Sequence, residues 1–145
     1  MNKSLLFSAS LMLAAGVTAN AWAGQPADDA KLHFQAIASG DLPLLMRAYA
    51  DNAQLNWVGG PLDGIYTGSS SIGGTWEKFT KSQGQLKLTI GKLEESANPK
   101  GATVTANVLF EGKQPIKVRY VLNYRDNKIV GETWQIDPQL AVNAY

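Results

Sequence analysis

The segment ATVTANVLFEGKQPIKVRYVLNYRDNKIVGETWQI, residues 102–136, determines the fold that we expect for this chain. It contains three runs rich in alternating or β-branched side chains, and these runs are separated by EGKQP and RDNK, which are typical turn compositions. A further run, LKLTI at 86–90, precedes the segment, and ANPKG lies between them. The pattern predicts four consecutive antiparallel strands.

Alternation along these strands separates a core face from a polar face, because successive side chains of a strand point in opposite directions. The predicted core face carries Ala102, Val104, Ala106, Val108, Phe110, Ile116, Val118, Tyr120, Leu122 and Tyr124. The predicted polar face carries Thr103, Thr105, Asn107, Lys117, Arg119, Asn123 and Arg125. The polar face is expected either to meet solvent or to meet a second copy of the chain.

Two helices are predicted before the sheet. In PADDAKLHFQAIASGD, Pro26 and the two aspartates that follow it suit a first helical turn, and Gly40 ends the helix. The spacing of the apolar residues places His33, the only histidine, on an apolar helix face. Asp41 is then positioned to cap a second helix, LPLLMRAYA at 42–50.

The middle of the chain predicts a short strand, AQLNWV at 53–58, then a glycine-rich loop that contains Asp63, then a helix within 67–84. Helices that precede a run of hairpin-linked strands indicate an α+β fold. We therefore expect a cone, in which the N-terminal helices pack on a curved, mainly antiparallel β-sheet that encloses a pocket.

Residues 1–23 have the features of a cleaved secretory signal peptide. Lys3 is followed by an apolar stretch shorter than a membrane span, and AWA at Ala21–Ala23 offers small residues for cleavage, with cleavage after Ala21 as the alternative. Residues 24–145 are then a single domain, expected to be periplasmic or secreted. The chain has no cysteine, so we expect no disulfide and no lipid anchor.

Composition restricts the classes of partner. Without residues 1–23 the basic and acidic residues are equal in number, which argues against nucleic acid and against a charged membrane surface. One histidine and no cysteine give little material for a metal site, so we expect neither a metal nor any other cofactor.

Several motifs, taken in order, resemble the SnoaL-like branch of the nuclear transport factor 2-like superfamily. They are AIASGDLPLLMRAYADNAQLNW, YTGSSSI and LNYRDNKIVGETWQID, and the resemblance covers nearly all of 24–145. It implies a cone-shaped α+β fold with a deep pocket and frequently a dimer. The superfamily includes cyclases, ketosteroid isomerases, dehydratases, epoxide hydrolases and proteins without catalytic activity, so the resemblance does not select a function.

The resemblance also allows the isomerase residues to be compared by position. The catalytic base of that family corresponds to Trp57, its second carboxyl group to Tyr120, and its first-helix tyrosine to His33. Both carboxylates are absent, which excludes steroid isomerisation by the family's mechanism. The acid of the polyketide cyclases corresponds to Asp137 only with an offset of one residue.

Three side chains are candidates for acid/base chemistry, each with a structural alternative. His33 is either a proton shuttle or a core histidine. Glu132 shares the parity of Trp134, so it is expected to point inward and to need a partner such as His33 or Tyr120. Asp63 is either an acid at the pocket rim or an ordinary turn residue.

Five aromatic residues are candidates for lining a pocket, although burial in the core is the simpler interpretation of each. They are Trp57, Tyr66, Trp76, Tyr120 and Trp134.

We expect a secreted domain that binds a small, largely apolar or aromatic molecule in an aromatic-lined pocket. The first alternative is a cofactor-free lyase, cyclase or isomerase that uses His33 with Glu132 or Asp63. The second is an association module that forms a homodimer through the sheet face around Arg119 and Val121.

Overall fold

A computed structural model describes residues 25–143 of the protein, so the predicted signal peptide lies outside the described residues. Three helices are present in this part of the chain: α1 (Pro26–Ser39), α2 (Leu42–Arg47) and α3 (Ser69–Gln83). Within residues 25–143, no helix has the length and apolar character that crossing a membrane requires.

Across the same described residues, six strands form one sheet in the order β2-β1-β6-β5-β4-β3. The strands are β1 (Tyr49–Val58), β2 (Gly64–Thr67), β3 (Lys87–Asn98), β4 (Gly101–Glu111), β5 (Pro115–Arg125) and β6 (Lys128–Ile136). Strands β3 to β6 are antiparallel neighbours, as the alternation predicted, and β1 joins β6 in parallel. The predicted α+β cone with a mainly antiparallel sheet is confirmed.

The two N-terminal helices form for the reasons that the sequence indicated. Pro26 lies in the first turn of α1, and Gly40 ends this helix in the left-handed conformation with φ 71°. The side chain of Asp41 accepts a hydrogen bond of 3.1 Å from the backbone N–H of Leu44, which caps α2.

The second helix is shorter than predicted. We expected it to continue through residue 50, but it ends at Arg47, and Tyr49 begins β1. The backbone N–H of Ile129 donates a 2.8 Å hydrogen bond to the carbonyl of Ala48. Pairing with β6 therefore begins at this point and ends the helix. The predicted end of this helix is therefore wrong, because tertiary pairing outweighs a weak local helix preference.

Strands β2 and β3 also differ from the prediction. The short strand β2 was not predicted; it pairs with β1 immediately after the glycine-rich loop. Strand β3 extends well beyond the predicted 86–90, because a bulge near Lys92, where φ is 47°, lets pairing with β4 resume at Glu94.

A second bulge sets the side-chain directions of β6. Asn123 is paired with Gly131 and Tyr124 with Ile129, which leaves Val130 as an extra residue. As a result both Ile129 and Glu132 point into the core, although they are three residues apart.

The core lies between the helices and the inner face of the sheet. The predicted core face of β4 and β5 is buried along its length apart from Ile116, which is half-buried. Aromatic side chains dominate the centre, where Trp76, Trp134, Tyr120, Phe34 and Phe110 are all fully buried. The cone is therefore filled by rings over much of its depth.

The C-terminal segment crosses the outer, polar face of the sheet. Asn107 donates a 3.3 Å hydrogen bond from its side-chain amide to the carbonyl of Ala141, and Arg119 donates one of 3.3 Å to the carbonyl oxygen of the Asn107 amide. At Gly91 the segment is so close that a Cβ atom would lie 2.5 Å from the carbonyl oxygen of Asn143. Glycine is required there because any side chain would displace the segment.

Candidate functional site

A buried carboxylate, Glu132, connects four elements of the cone. The hydroxyl of Tyr49 donates to Oε1, the hydroxyl of Tyr120 donates to Oε2, and His33 Nε2 lies 2.6 Å from Oε2. Trp76 Nε1 donates a 2.7 Å hydrogen bond to the Tyr49 hydroxyl. We call these five residues the Glu132 network; Glu132 is only 3 % exposed. The predicted partners of Glu132, His33 and Tyr120, are both present.

The donors around Glu132 determine the state of the His33 ring. Both tyrosine hydroxyls donate to the carboxyl group, which suits the acceptor-only carboxylate form of Glu132. His33 Nε2 therefore carries the proton of the third hydrogen bond. Its other nitrogen, Nδ1, is buried and has no hydrogen-bond partner among the described residues.

Burial keeps the tyrosines of this region protonated. Desolvation raises the pKa of both Tyr49 and Tyr120 well above the ordinary value of 10.0, and the adjacent charge of Glu132 raises it further. Desolvation likewise raises the pKa of Tyr124, with smaller contributions from the charges of Asp29 and Glu132. All three hydroxyls are consequently hydrogen-bond donors at neutral pH.

An aromatic cluster lies next to the network. Trp57 stacks on Trp134 with ring centroids 4.5 Å apart, and Phe110 stacks on the same indole at 5.2 Å. Trp76 and Phe79 meet Trp134 edge-on, at 5.6 Å and 5.2 Å. Offset and edge-to-face contacts of this kind stabilise a rigid wall.

A cavity of about 530 Å³, which we call the apolar cavity, opens beside this cluster. It lies between α3, the loop that follows β1, and the ends of β5 and β6. Its lining is mainly apolar, with polar groups at the edge: Trp57, Pro61, Leu62, Lys78, Phe79, Ser82, Gln83, Pro115, Ile116, Trp134 and Ile136. A largely apolar concave surface with few polar groups is the usual form of a small-molecule site.

A second cavity, of about 280 Å³, lies between α1, α2 and the turn that joins β5 to β6. We call it the polar cavity because charged and hydrogen-bonding side chains contribute to its lining. The lining residues are Asp29, Leu32, His33, Leu44, Arg47, Ala48, Tyr124 and Asn127. His33 belongs to both this lining and the Glu132 network, and its side chain is fully buried.

The predicted acid/base residues do not lie together in one site. His33 and Glu132 are in contact, whereas Asp63 is exposed in the glycine-rich loop, where its carboxylate accepts a 2.7 Å hydrogen bond from the backbone N–H of Gly59. The geometry of Asp63 is that of the turn residue considered as its alternative. Asp137 accepts a hydrogen bond from the backbone N–H of Gln139, which also belongs to a turn.

The five predicted aromatic residues are also divided. Trp57 and Trp134 line the apolar cavity, while Trp76 and Tyr120 are buried in the Glu132 network. Tyr66 donates a 2.6 Å hydrogen bond to the carbonyl of Leu62, so it braces the loop at the cavity edge.

Tyr49 was missing from the predicted site. The predicted second helix, residues 42–50, included Tyr49, and that assignment hid its role as a hydrogen-bond donor to Glu132. The signal that identifies it is its parity with Ala53, Leu55 and Trp57, which shows an inward position on a longer β1.

Comparison with known proteins shows the fold. No family model and no curated protein matches the chain. Among solved structures, a nuclear transport factor 2-like protein of unknown function from Pseudomonas putida is 18 % identical with a TM-score of 0.66, covering 81 % of this chain and 89 % of that one. A putative polyketide cyclase from Sinorhizobium meliloti is 20 % identical with a TM-score of 0.52, covering 74 % and 94 %.

A de novo designed protein with a curved β-sheet is also similar, at 17 % identity and a TM-score of 0.61, with 77 % of this chain and 84 % of that chain covered. The protein therefore has the nuclear transport factor 2-like fold, which the sequence resemblance predicted. At these identities the likeness concerns architecture, and the function has to be argued from the side chains of this chain.

Replacing Glu132 with glutamine should destabilise the protein strongly. The amide places an N–H₂ group where a carboxylate oxygen now accepts hydrogen bonds, so the buried contacts made to that oxygen are weakened or lost. We expect the free energy of unfolding to fall by about 3 kcal/mol, measured by urea denaturation at pH 7. The exposed Glu77→Gln, which removes an i,i+4 pair with Lys81, is the control, with a loss below about 1 kcal/mol. A comparable loss in both variants would contradict the role of Glu132.

Stability should also fall steeply in alkali. Tyr49, Tyr120 and Tyr124 have a raised pKa in the folded protein, whereas in the unfolded chain each tyrosine loses its proton near pH 10. Their stabilising contribution is therefore complete below about pH 10 and is lost above it, by about 1.4 kcal/mol per pH unit for each tyrosine. Urea denaturation between about pH 9 and 11 measures the slope, and Tyr124→Phe should reduce it by one tyrosine's share. An unchanged slope in that variant would refute the assignment.

Proposed function

We propose that this protein is a secreted or periplasmic domain that binds a small, largely apolar, flat molecule in the apolar cavity. The observation that carries the proposal is a cavity of about 530 Å³ walled by the stacked indoles of Trp57 and Trp134. This volume lies within the range of typical small-molecule sites. The features of residues 1–23 support export of the chain.

The cavity wall favours a ring system. The indoles of Trp57 and Trp134 are fixed by contacts with Phe79, and Phe110 stacks on Trp134. Rigid aromatic walls bind flat apolar ligands with little loss of side-chain entropy on binding, because their rotamers are already fixed.

Trp134 packs within the cavity wall and is fully buried. Its indole N–H is buried and has no hydrogen-bond partner among the described residues, although Trp134 lines the cavity. Buried donors are normally satisfied. Because this N–H has no solvent-accessible surface, it does not select the ligand, and the proposal specifies only a flat aromatic or alicyclic compound.

Native mass spectrometry of protein purified from the periplasm tests the proposal. We expect a mature chain that begins at Gly24 and retains a small molecule, or that binds added 2-naphthol, a flat probe with one hydroxyl. Selective binding to the folded state should raise the Tm. Absence of both a retained molecule and probe binding would overturn the proposal.

A pair of matched variants locates the binding. Ile116→Lys places a charge in the apolar cavity and should weaken 2-naphthol binding by at least about tenfold, since burying an unpaired charge is unfavourable. Ile65→Lys makes the same change at a side chain that is 66 % exposed on β2 and should leave the affinity unchanged. Equal affinity in the two variants would place the probe elsewhere.

Cofactor-free acid/base catalysis is the second candidate, and the buried pair of His33 and Glu132 favours it. Since Nε2 is engaged by Glu132, His33 can exchange a proton with a substrate only through Nδ1. The reacting group would then have to enter by the polar cavity, because His33 lines that cavity and is absent from the lining of the apolar one. This requirement makes catalysis the weaker candidate.

A co-purified compound that the Ile116→Lys variant still retains lies outside the apolar cavity, and it is the substrate to assay. His33→Gln keeps a donor for Glu132 but removes the titratable ring, so conversion of the compound should cease while the fold is retained. Conversion at the wild-type rate would remove His33 from any mechanism.

A further inference from the structure

The apolar side chains of the apolar cavity differ in their depth below the surface. Trp57 and Phe79 are buried, whereas Leu62 and Ile116 are half-buried and form the sides. A ligand that enters this cavity therefore places its inner part against aromatic rings and gains free energy from the apolar surface removed from water.

The polar side chains of the same lining come from one element, α3. They are Lys78, Ser82 and Gln83, and the first two share a helix face because they are four residues apart. Lys78 and Ser82 are exposed and Gln83 is half-buried, so these side chains lie at the mouth of the cavity, in contact with solvent. The Ser82 hydroxyl already donates a 3.0 Å hydrogen bond to the carbonyl of Phe79. Lys78 is thus the strongest donor at the mouth.

Lys78 carries the only charge among the described residues that line this cavity. Within residues 25–143 no carboxylate forms an ion pair with it, whereas its neighbour Lys81 pairs with Glu77 at 3.2 Å. Asp63, in the loop that follows β1, is absent from the lining and accepts a hydrogen bond from the backbone N–H of Gly59. The mouth of the cavity is therefore positive.

The position of Lys78 on α3 does not account for its charge. A cation in the last turn of a helix is stabilised by the partial negative charge of the C-terminus, and Lys81 occupies that turn. Lys78 lies five residues before Gln83, the last residue of α3, which is more than one helical turn. The residues three or four positions away from it carry no negative charge: Gly74, Thr75, Lys81 and Ser82. Its ammonium group is left available to a ligand.

We propose that the ligand of the apolar cavity is an amphipathic anion, a flat aromatic or alicyclic ring that carries one anionic group. The ring lies against Trp57 and Trp134, and the anionic group lies at the mouth, where Lys78 donates to it. This inference rests on the proposed function and adds the charge and the orientation of the ligand. An anionic group at the mouth remains in contact with water, so it avoids the cost of burying a charge.

Two probes of matched shape test the charge. At pH 7, 2-naphthoate is an anion and 2-naphthamide is neutral, and both carry the same ring. Isothermal titration calorimetry in about 0.15 M salt, where distant charges are screened, should show 2-naphthoate binding at least about fivefold more tightly, because hydrogen bonds between charged groups are the stronger ones. Equal or weaker binding of 2-naphthoate would overturn the inference.

Two lysine variants of α3 assign the preference to a residue. Lys78→Met removes the ammonium group from the mouth and should bind the two probes with equal affinity. Lys81→Met removes the same charge from the next turn, outside the lining, and should keep the preference for 2-naphthoate. Both side chains are exposed, so both variants should fold. A preference that survives in Lys78→Met, or that disappears in both variants, would refute the assignment to Lys78.

Charge reversal separates this inference from the proposed function. Lys78→Glu should bind 2-naphthylmethylammonium more tightly than 2-naphthoate, and an unchanged order of affinities would refute the contact. Binding of 2-naphthamide and 2-naphthol without a preference for 2-naphthoate in the unmodified protein would overturn this inference alone and would leave the proposed function standing. Binding of none of the probes would overturn both.

Discussion

The carboxylate of Glu132 is the interaction on which the interior of this protein depends. It lies on β6 and is bonded by side chains of α1, β1 and β5, while α3 is attached through Trp76 and Tyr49. A buried charge is costly unless each lone pair is satisfied. Here the surrounding donors satisfy it only when the helices and the sheet are docked in one arrangement. The network therefore specifies how the cone closes, in addition to any stability that it provides.

The network and the aromatic cluster together divide the cone into two separate spaces. On one side the indoles of Trp57 and Trp134 face a large apolar cavity near α3. On the other side a smaller polar cavity lies between α1, α2 and the turn that joins β5 to β6. By the sequence resemblance, the two carboxylates of the isomerases correspond to Trp57 and Tyr120, neither of which is an acid. The single inward carboxylate of this network lies instead on β6 and serves the hydrogen bonds of its neighbours.

The sequence predicted most of this architecture, because the strongest patterns extend over many residues. The alternation in β4 and β5, the capping of α2 by Asp41, and the inward parity of Glu132 all identified their positions correctly. The prediction failed where a choice depends on tertiary pairing. Tyr49 was predicted in a helix, but pairing with β6 places it in β1. Strand β2 has four residues, which is too few to show an alternation of apolar and polar side chains. The separation of the two cavities depends on the packing of the aromatic cluster around Trp134, and no local sequence pattern predicts that packing.

The C-terminal segment covers part of the outer, polar face of the sheet. Through Asn107 and the close approach at Gly91, residues near the end of the described chain lie across strands that would otherwise be open. A second copy that docked on this face would meet main chain from that segment as well as strand side chains. Residues 141–143 therefore occupy part of the surface that a second copy would otherwise contact.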